Sequence, residues 1–269
     1  MKVQLQSSDL LVFPPAIPFH VKKDKTKSKD DDKEKYAKFD VPFKNGESED
    51  NTEWSIKVFE EGSAEDYVKW RVRFDELAGA MAIDSPENQY AILQTILRGE
   101  ARSRFNVGYH SIKLPDNGTA SAKEKALKNK LSAGFNHLSK QLFAPPESAW
   151  RRQRTYMRYH LKFQDMSVAD FKRRLIEVNN YLIYFPPPEG KKSVSKLTED
   201  ELVEIMDRAK PVEYQLDVLT SNYDPYSKTL LEYTEYLERL ETKHSIQKVI
   251  SKGGNEKEKQ LGLSYRILF

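Results

Sequence analysis

The 269-residue chain contains no cysteine. That absence rules out a disulfide framework, a thiol nucleophile and every cysteine-ligated zinc or iron–sulfur site. Long hydrophobic runs are missing as well: no stretch approaches the ~18–20 apolar residues that a membrane span requires. The apolar run Leu10 to Phe13 is broken by Pro14, Pro15 and Pro18 and is too short for the core of a signal peptide. Lys2 stands where N-myristoylation needs glycine. The expectation is a soluble, intracellular protein of the cytoplasm, with no membrane partner, in which the sequon Asn117-Gly118-Thr119 means only a turn. An excess of one charge is absent too. The 44 Lys and Arg face 41 Asp and Glu, a formal net charge of +3. This argues against a polyanion-coating protein but leaves room for local basic stripes.

Catalytic signatures are also lacking. His20, His110, His137, His160 and His244 are scattered, and no two share a helix face at i, i+4. HExxH, GxSxG, GxxxxGK[ST] and GxGxxG do not occur. The acids sit beside lysines on expected solvent faces, the usual pattern of helical charge. With neither a nucleophile–base pair nor a metal-ligand set, the chain reads as non-enzymatic, with no cofactor, metal or small-molecule substrate.

What the chain does have is helix, in a length that suits one or two compact domains. Residues 21 to 34, VKKDKTKSKDDDKE, are a low-complexity charge run expected to stay disordered as a linker or arm. Short β-like alternation flanks it, around Val3 to Phe13 and Tyr36 to Phe43. Glu53 to Gly62 shows it more clearly, with Trp54, Ile56 and Val58 on one face, so a small strand or hairpin is expected at the N-terminal edge. From Ser63 onward helix starts are well marked. Ser63–Asp66, Ser121–Glu124, Ser167–Asp170, Thr198–Glu201 and Thr229–Glu232 each place a hydroxyl three residues before an acid, the capping-box spacing. Ser85 precedes Pro86, proline at a first helical position. Apolar residues follow at steps of three and four: Tyr67, Trp70, Phe74, Leu77 and Met81, then Val168, Phe171, Leu175, Val178 and Leu182. Stops fall at Ala144 to Pro146, Phe185 to Pro188 and Pro211. The last helix is expected over Leu230 to Glu241, with SKGGNEKEK after it as tail.

The polar feature that stands out is WRRQRTYMRYHLKF, Trp150 to Phe163. On a helix, Arg151, Arg154, Arg158 and Lys162 form one stripe beside apolar Trp150, Met157 and Leu161. Two readings remain open. The guanidinium groups could track a phosphate backbone while Tyr156 or Tyr159 stacks on bases. Alternatively the stripe is a solvated basic edge that pairs with acids of a neighbouring helix, or of another copy.

Four stretches together resemble the capsid region of an LTR-retrotransposon Gag protein. EEGSAEDYVKWRVRFDELA is similar to the opening capsid helix, with Trp70 and Phe74 at its aromatic positions. TILRGEARSRFN resembles a Leu-x-Gly-x-Ala signature formed by Leu97, Gly99 and Ala101, with Phe105 where tryptophan is common. LFAPPESAWRRQRTYMRYHLKF resembles the segment that crosses toward the second lobe. FQDMSVADFKRRLIEVNNYLIYFP resembles the major homology region, with Gln164, Phe171 and Leu175 at matching positions. The resemblance covers about Glu60 to Glu241. It departs in lacking the Gln-Gly pair and the glutamate of the retroviral region. The zinc knuckle of many such Gags is also missing, as it must be without cysteine, and so is an Asp-Thr/Ser-Gly protease motif.

The resemblance implies an all-α, two-lobed capsid-like fold with short β-like segments and a disordered charge run at the N-terminus. Its parts would be a flexible arm at 1–51, an N-terminal lobe at 52–163, a C-terminal lobe at 164–245 and a tail at 246–269. Of two candidate hinges, the FAPP segment and the loop from Gln164 to Ser167, it selects the second. It implies self-association into a capsid-like assembly, with RNA held electrostatically; the alternative is a domesticated or truncated remnant that serves as a protein-interaction module. Gly99 then either ends one helix and opens the next, or kinks a continuous one.

Overall fold

The computed structural model describes residues 14–20, 36–45, 48–115, 118–191 and 193–265. It is an all-α fold with an antiparallel β-hairpin near the N-terminus, and nine α-helices lie among the described residues. The expected β-like segment at Val3 to Phe13 and the charge run at 21–34 lie outside those residues.

β1 (Tyr36–Asn45) and β2 (Ser48–Lys57) pair with Phe39 opposite Trp54 and Asn45 opposite Ser48. Residues 36–45 and 48–51, expected within the arm, thus belong to the hairpin. Ile56 and Val58 are buried, while Trp54 is only half-covered, with the Arg73 guanidinium 4.8 Å from its ring.

Local chemistry sets the helix starts. α1 (Ala64–Ala80) opens on a full capping box: Asp66 N–H donates to Ser63 Oγ at 3.2 Å, and Ser63 N–H donates to Asp66 Oδ2 at 3.0 Å. α2 (Pro86–Ile96) starts behind Ser85 with proline at its first turn. α3 (Gly99–His110) follows after a two-residue break. α4 (Ala120–Leu142) is capped by Thr119, whose hydroxyl accepts from Ala122 N–H, and not by Ser121 as the spacing suggested. The hydroxyl two residues earlier reaches the free N–H first. α5 (Pro146–Tyr159) and α6 (Val168–Tyr181) come next, the latter with Asp170 N–H donating to Ser167 Oγ. α7 (Glu199–Ala209) carries the complete Thr198–Glu201 box. Pro211 stops α7 and is also the N-cap of α8 (Val212–Thr220).

α9 runs from Leu230 to Tyr265 and does not end near Glu241. Buried Leu230, Tyr233, Leu237 and Leu240 anchor its first turns, and Lys243 and His244 both bond Asp217 of α8. Gly253 and Gly254 each cost a helix about 1 kcal/mol, but unlike proline they keep the N–H donor, so the ladder continues through them.

The described residues fall into two compact units. One is drawn from Met1–Arg154 and Asn180–Lys196, the other from Thr155–Asn179 and Leu197–Phe269. Two divisions fall inside α5 and α6, where no glycine or proline marks a break, and the third falls between Lys196 and Leu197 in the chain before α7; none falls in the loop from Gln164 to Ser167.

In the first unit, aromatic rings touch in series. Phe59 meets Trp70 at 5.4 Å, Trp70 meets Phe74, Phe74 meets Phe135 at 6.0 Å, Phe135 meets Phe105 at 5.1 Å, and Tyr109 stacks on Tyr90 at 4.0 Å. α3 and α4 approach closely because each presents a glycine. A Cβ on Gly108 would lie 2.4 Å from the Ala133 carbonyl oxygen, and one on Gly134 would lie 2.6 Å from the Phe105 ring.

The second unit is built mostly from aliphatic side chains: Val168, Leu175 and Val178 of α6, Leu202, Val203, Ile205 and Met206 of α7, and Leu237 and Leu240 of α9. Phe163 and Phe171 pack at 4.3 Å. Asn179 fixes the chain before α7 by clamping Leu197, accepting from its N–H at 2.8 Å and donating to its C=O at 3.2 Å.

Candidate functional site

The basic stripe is interrupted, because α5 ends at Tyr159 and Lys162 lies beyond it in non-helical chain. Arg151 is exposed. The Arg154 guanidinium lies 4.6 Å from the Trp150 ring. Both belong to the first unit. In the second unit, Arg158 forms an ion pair with Glu201, the same carboxylate that closes the α7 capping box. Lys162 Nζ donates to the Arg208 carbonyl at 3.0 Å. A row of one-turn-spaced cations free to track phosphates therefore does not form. Arg158 follows the other reading, pairing with an acid of a neighbouring helix.

The residues that carry the resemblance are placed as follows. Trp70, Phe74, Ala101 and Phe105 are buried in the first unit, and Phe171 and Leu175 in the second. Gln164 sits in a turn with φ +49°. Gly99 separates two helices and does not kink one. Leu97 is extended, and Phe59 pairs beside it: Phe59 N–H donates to Ile96 C=O at 2.9 Å and Arg98 N–H to Phe59 C=O at 3.0 Å. The chain then enters α3 with Gly99 at φ +50°, the left-handed region, where a Cβ would also meet Glu60 Oε1 at 2.7 Å.

One surface had no expectation attached to it. On α8, Val212, Leu216 and Leu219 are 76%, 65% and 78% exposed. Their spacing of four and three puts them on one face. The charges of this helix turn the other way. Asp217 accepts from Lys243 Nζ and bonds His244 Nε2, both at 2.7 Å, and Glu213 lies 3.8 Å from Lys248. The bond from Lys243 holds the Asp217 carboxyl below the ordinary value of 3.8, against burial and with help from His244. α8 thus bonds Asp217 to α9, buries Tyr214 and Val218, and leaves Val212, Leu216 and Leu219 outward.

Beside that ridge lies an open cleft of about 720 Å³ that shares Leu219 with it. Tyr159, Leu161, Val218 and Tyr226 supply its apolar lining, and Lys162, Arg208 and Lys210 its cations. Asp207 at the cleft accepts from Tyr233 OH at 2.6 Å and Tyr226 OH at 3.3 Å, and pairs with Lys210. Burial first, and Asp207 second, push the Tyr226 hydroxyl above its usual pKa. The Asp207 carboxylate is thus engaged by two tyrosine hydroxyls and a lysine.

Among the described residues no group of three or more His, Asp or Glu is placed to hold a metal ion, and no helix is long and apolar enough to cross a membrane. No protein-family model, curated protein or solved structure matches the chain.

Proposed function

We propose that the protein is a non-enzymatic structural component that associates with copies of itself, as in the capsid region of an LTR-retrotransposon Gag. The observation that carries this reading is the second apolar face of α8. The helix already buries Tyr214 and Val218, and it exposes Val212, Leu216 and Leu219 on another side, a grouped set that calls for an apolar partner.

The partner that fits is a second copy. A convex ridge next to a concave cleft, joined at Leu219, is self-complementary under a two-fold axis, the ridge of one copy entering the cleft of the other. The three ridge side chains offer roughly 300–400 Å² per copy, below the ~800 Å² per partner of a stable complex. Such a contact is weak alone and gains strength through repetition in an assembly. The resemblance in Glu60 to Glu241 supports the same reading. RNA, in this proposal, adds an electrostatic contribution through exposed Arg151 and is released by salt.

Light scattering coupled to size exclusion, run across salt concentrations with and without RNA, tests the proposal. Species larger than a monomer, visible as regular particles by negative stain and lost in a Val212→Asp, Leu216→Asp chain, are the expected result. A monomer at all concentrations would overturn self-association and favour an interaction module. RNA retention unchanged by Arg151→Gln and salt would remove the RNA element alone.

A further inference from the structure

Residues 14–20, Pro-Pro-Ala-Ile-Pro-Phe-His, belong to no helix or strand, yet they are held against α5. Gln153, wholly buried, commits both ends of its amide to the main chain of one residue. Oε1 accepts from Ile17 N–H at 3.0 Å, and Nε2 donates to Ile17 C=O at 3.1 Å. Arg152 adds a bond from Nη1 to the Pro14 carbonyl at 3.2 Å and holds the Ala144 carbonyl at 2.8 Å with Nη2. Side chains alternate along the segment: Ile17 and Phe19 are buried, Pro18 between them is exposed. All these residues belong to the first unit.

These are the features of a bound peptide. The segment bends at 16–17 and 19–20, and recognition runs through its main chain with two apolar anchors, Ile17 and Phe19. Pro14, Pro15 and Pro18 restrict φ in the unbound segment, so little order is lost on docking. The main-chain bonds come from Arg152 and Gln153 of α5, and the Ile17–Gln153 pair joins positions 136 apart in sequence.

We infer that the face of α5 around Gln153 is a binding site for a short, bent peptide of the pattern Pro-x-Ile-Pro-Phe, occupied by the chain's own segment and open to the same segment from a second copy. The contacts are identical in either case, as in domain swapping. Residues 21–35, which join the segment to β1, can span up to about 50 Å at ~3.3–3.6 Å per residue, so chain length permits both. The tethered segment competes at an effective concentration of order mM, so exchange is a property of crowded copies. The site does not depend on the α8 surface, and its test is read at monomer concentrations.

The experiment titrates a fluorescein-labelled peptide spanning Pro14 to His20 against the full chain, followed by anisotropy, with circular dichroism of each variant as the folding control. An Ile17→Asp chain, whose own segment cannot dock, is expected to bind saturably. The unaltered chain should bind at least tenfold more weakly, because its segment competes. Adding Gln153→Met, which keeps shape and removes both hydrogen bonds, should weaken the Ile17→Asp chain at least tenfold. A folded Ile17→Asp chain that ignores 1 mM peptide, or binding indifferent to Gln153→Met, overturns the site; Phe19→Ser replaces Ile17→Asp if that chain does not fold. Exchange is read separately by mixing Pro14→Cys and Arg152→Cys chains with a short bismaleimide, which is clean because the protein has no other cysteine. Crosslinked pairs that free peptide suppresses support exchange, and their absence at high concentration overturns it.

Discussion

The two compact units solve burial differently. In the first, rings from α1, α4, α3 and α2 touch in series and the glycines of α3 and α4 let backbones meet. Its exposed large apolar residues, Tyr36, Val107, Leu114 and Ile183, are single residues of β1, α3, the loop after α3 and the short turn after α6. In the second, a mostly aliphatic core coexists with a three-residue apolar face on α8 and with exposed Tyr159 and Tyr226 at the adjoining cleft. Isolated exposed apolar residues are ordinary, whereas a grouped set on one helix face is not. The first unit keeps its apolar surface for itself; the second reserves part of it.

The largest effects should come from breaking each core. Phe105→Ala removes a fully buried ring and should cost about 3–5 kcal/mol, and Leu237→Ala in the other unit about 2–5 kcal/mol. Trp54, Trp70 and Trp150 all lie in the first unit, so tryptophan fluorescence follows it while far-UV circular dichroism follows both. In urea, Phe105→Ala should move the fluorescence transition. Leu237→Ala should move the dichroism transition and leave fluorescence in place; an equal shift in both would break the comparison by making the two cores one cooperative block.

Next comes the α3–α4 approach. Gly108→Ala should destabilise by about 1–3 kcal/mol, because the new methyl meets the Ala133 carbonyl and His137. Gly79→Ala in α1, where a Cβ meets nothing within 4 Å, should instead stabilise by up to about 1 kcal/mol. Opposite signs in the same denaturation assay would sharpen the contrast between a helix face closed by contact and one open to solvent.

Smaller still is the acid response of the α8–α9 junction. Because the folded Asp217 carboxyl is held below 3.8, its contribution is complete above about that pH and is lost as pH falls through the lower folded value. An acid titration followed by dichroism should show this loss below pH 4, and Asp217→Asn should remove it there. Least of all, Leu216→Asp should leave monomer stability within about 0.5 kcal/mol, since the side chain is exposed. The same change should reduce self-association, and a drop in melting temperature comparable to Leu237→Ala would show that the ridge is core after all.

Much of the fold could be read residue by residue. The boxes at Ser63–Asp66, Thr198–Glu201 and Thr229–Glu232 form as spaced, because a cap depends on atoms three residues apart. The stripe Tyr67, Trp70, Phe74 and Leu77 is buried as its period implies. What depends on distant partners was not legible. Gly99 admitted two readings until Phe59, forty residues earlier, was found paired across the break. Lys162 matched a helical stripe, but the helix stops before it. Gln153 looks like any polar residue in an arginine-rich helix, and only Ile17 explains its burial. α8 hid its surface for the opposite reason: apolar spacing announces a buried face, and nothing in VEYQLDVLT says that Tyr214 and Val218 take that face while Val212, Leu216 and Leu219 stay outside.

The Ile17–Gln153 clamp also has a timetable. Pro14 to His20 leave the ribosome long before α5 exists, since the two halves of the clamp are 136 residues apart. At 5–20 residues per second, synthesis takes roughly 7–30 s to supply Gln153 after Ile17 has appeared. The α3–α4 pair, close in sequence, has its partners within a few seconds of each other and can condense first. Throughout the longer interval the segment has no site of its own to enter, so the exchange proposed above would begin between neighbouring chains on one polysome, where a segment still without its own α5 meets a copy that already has one.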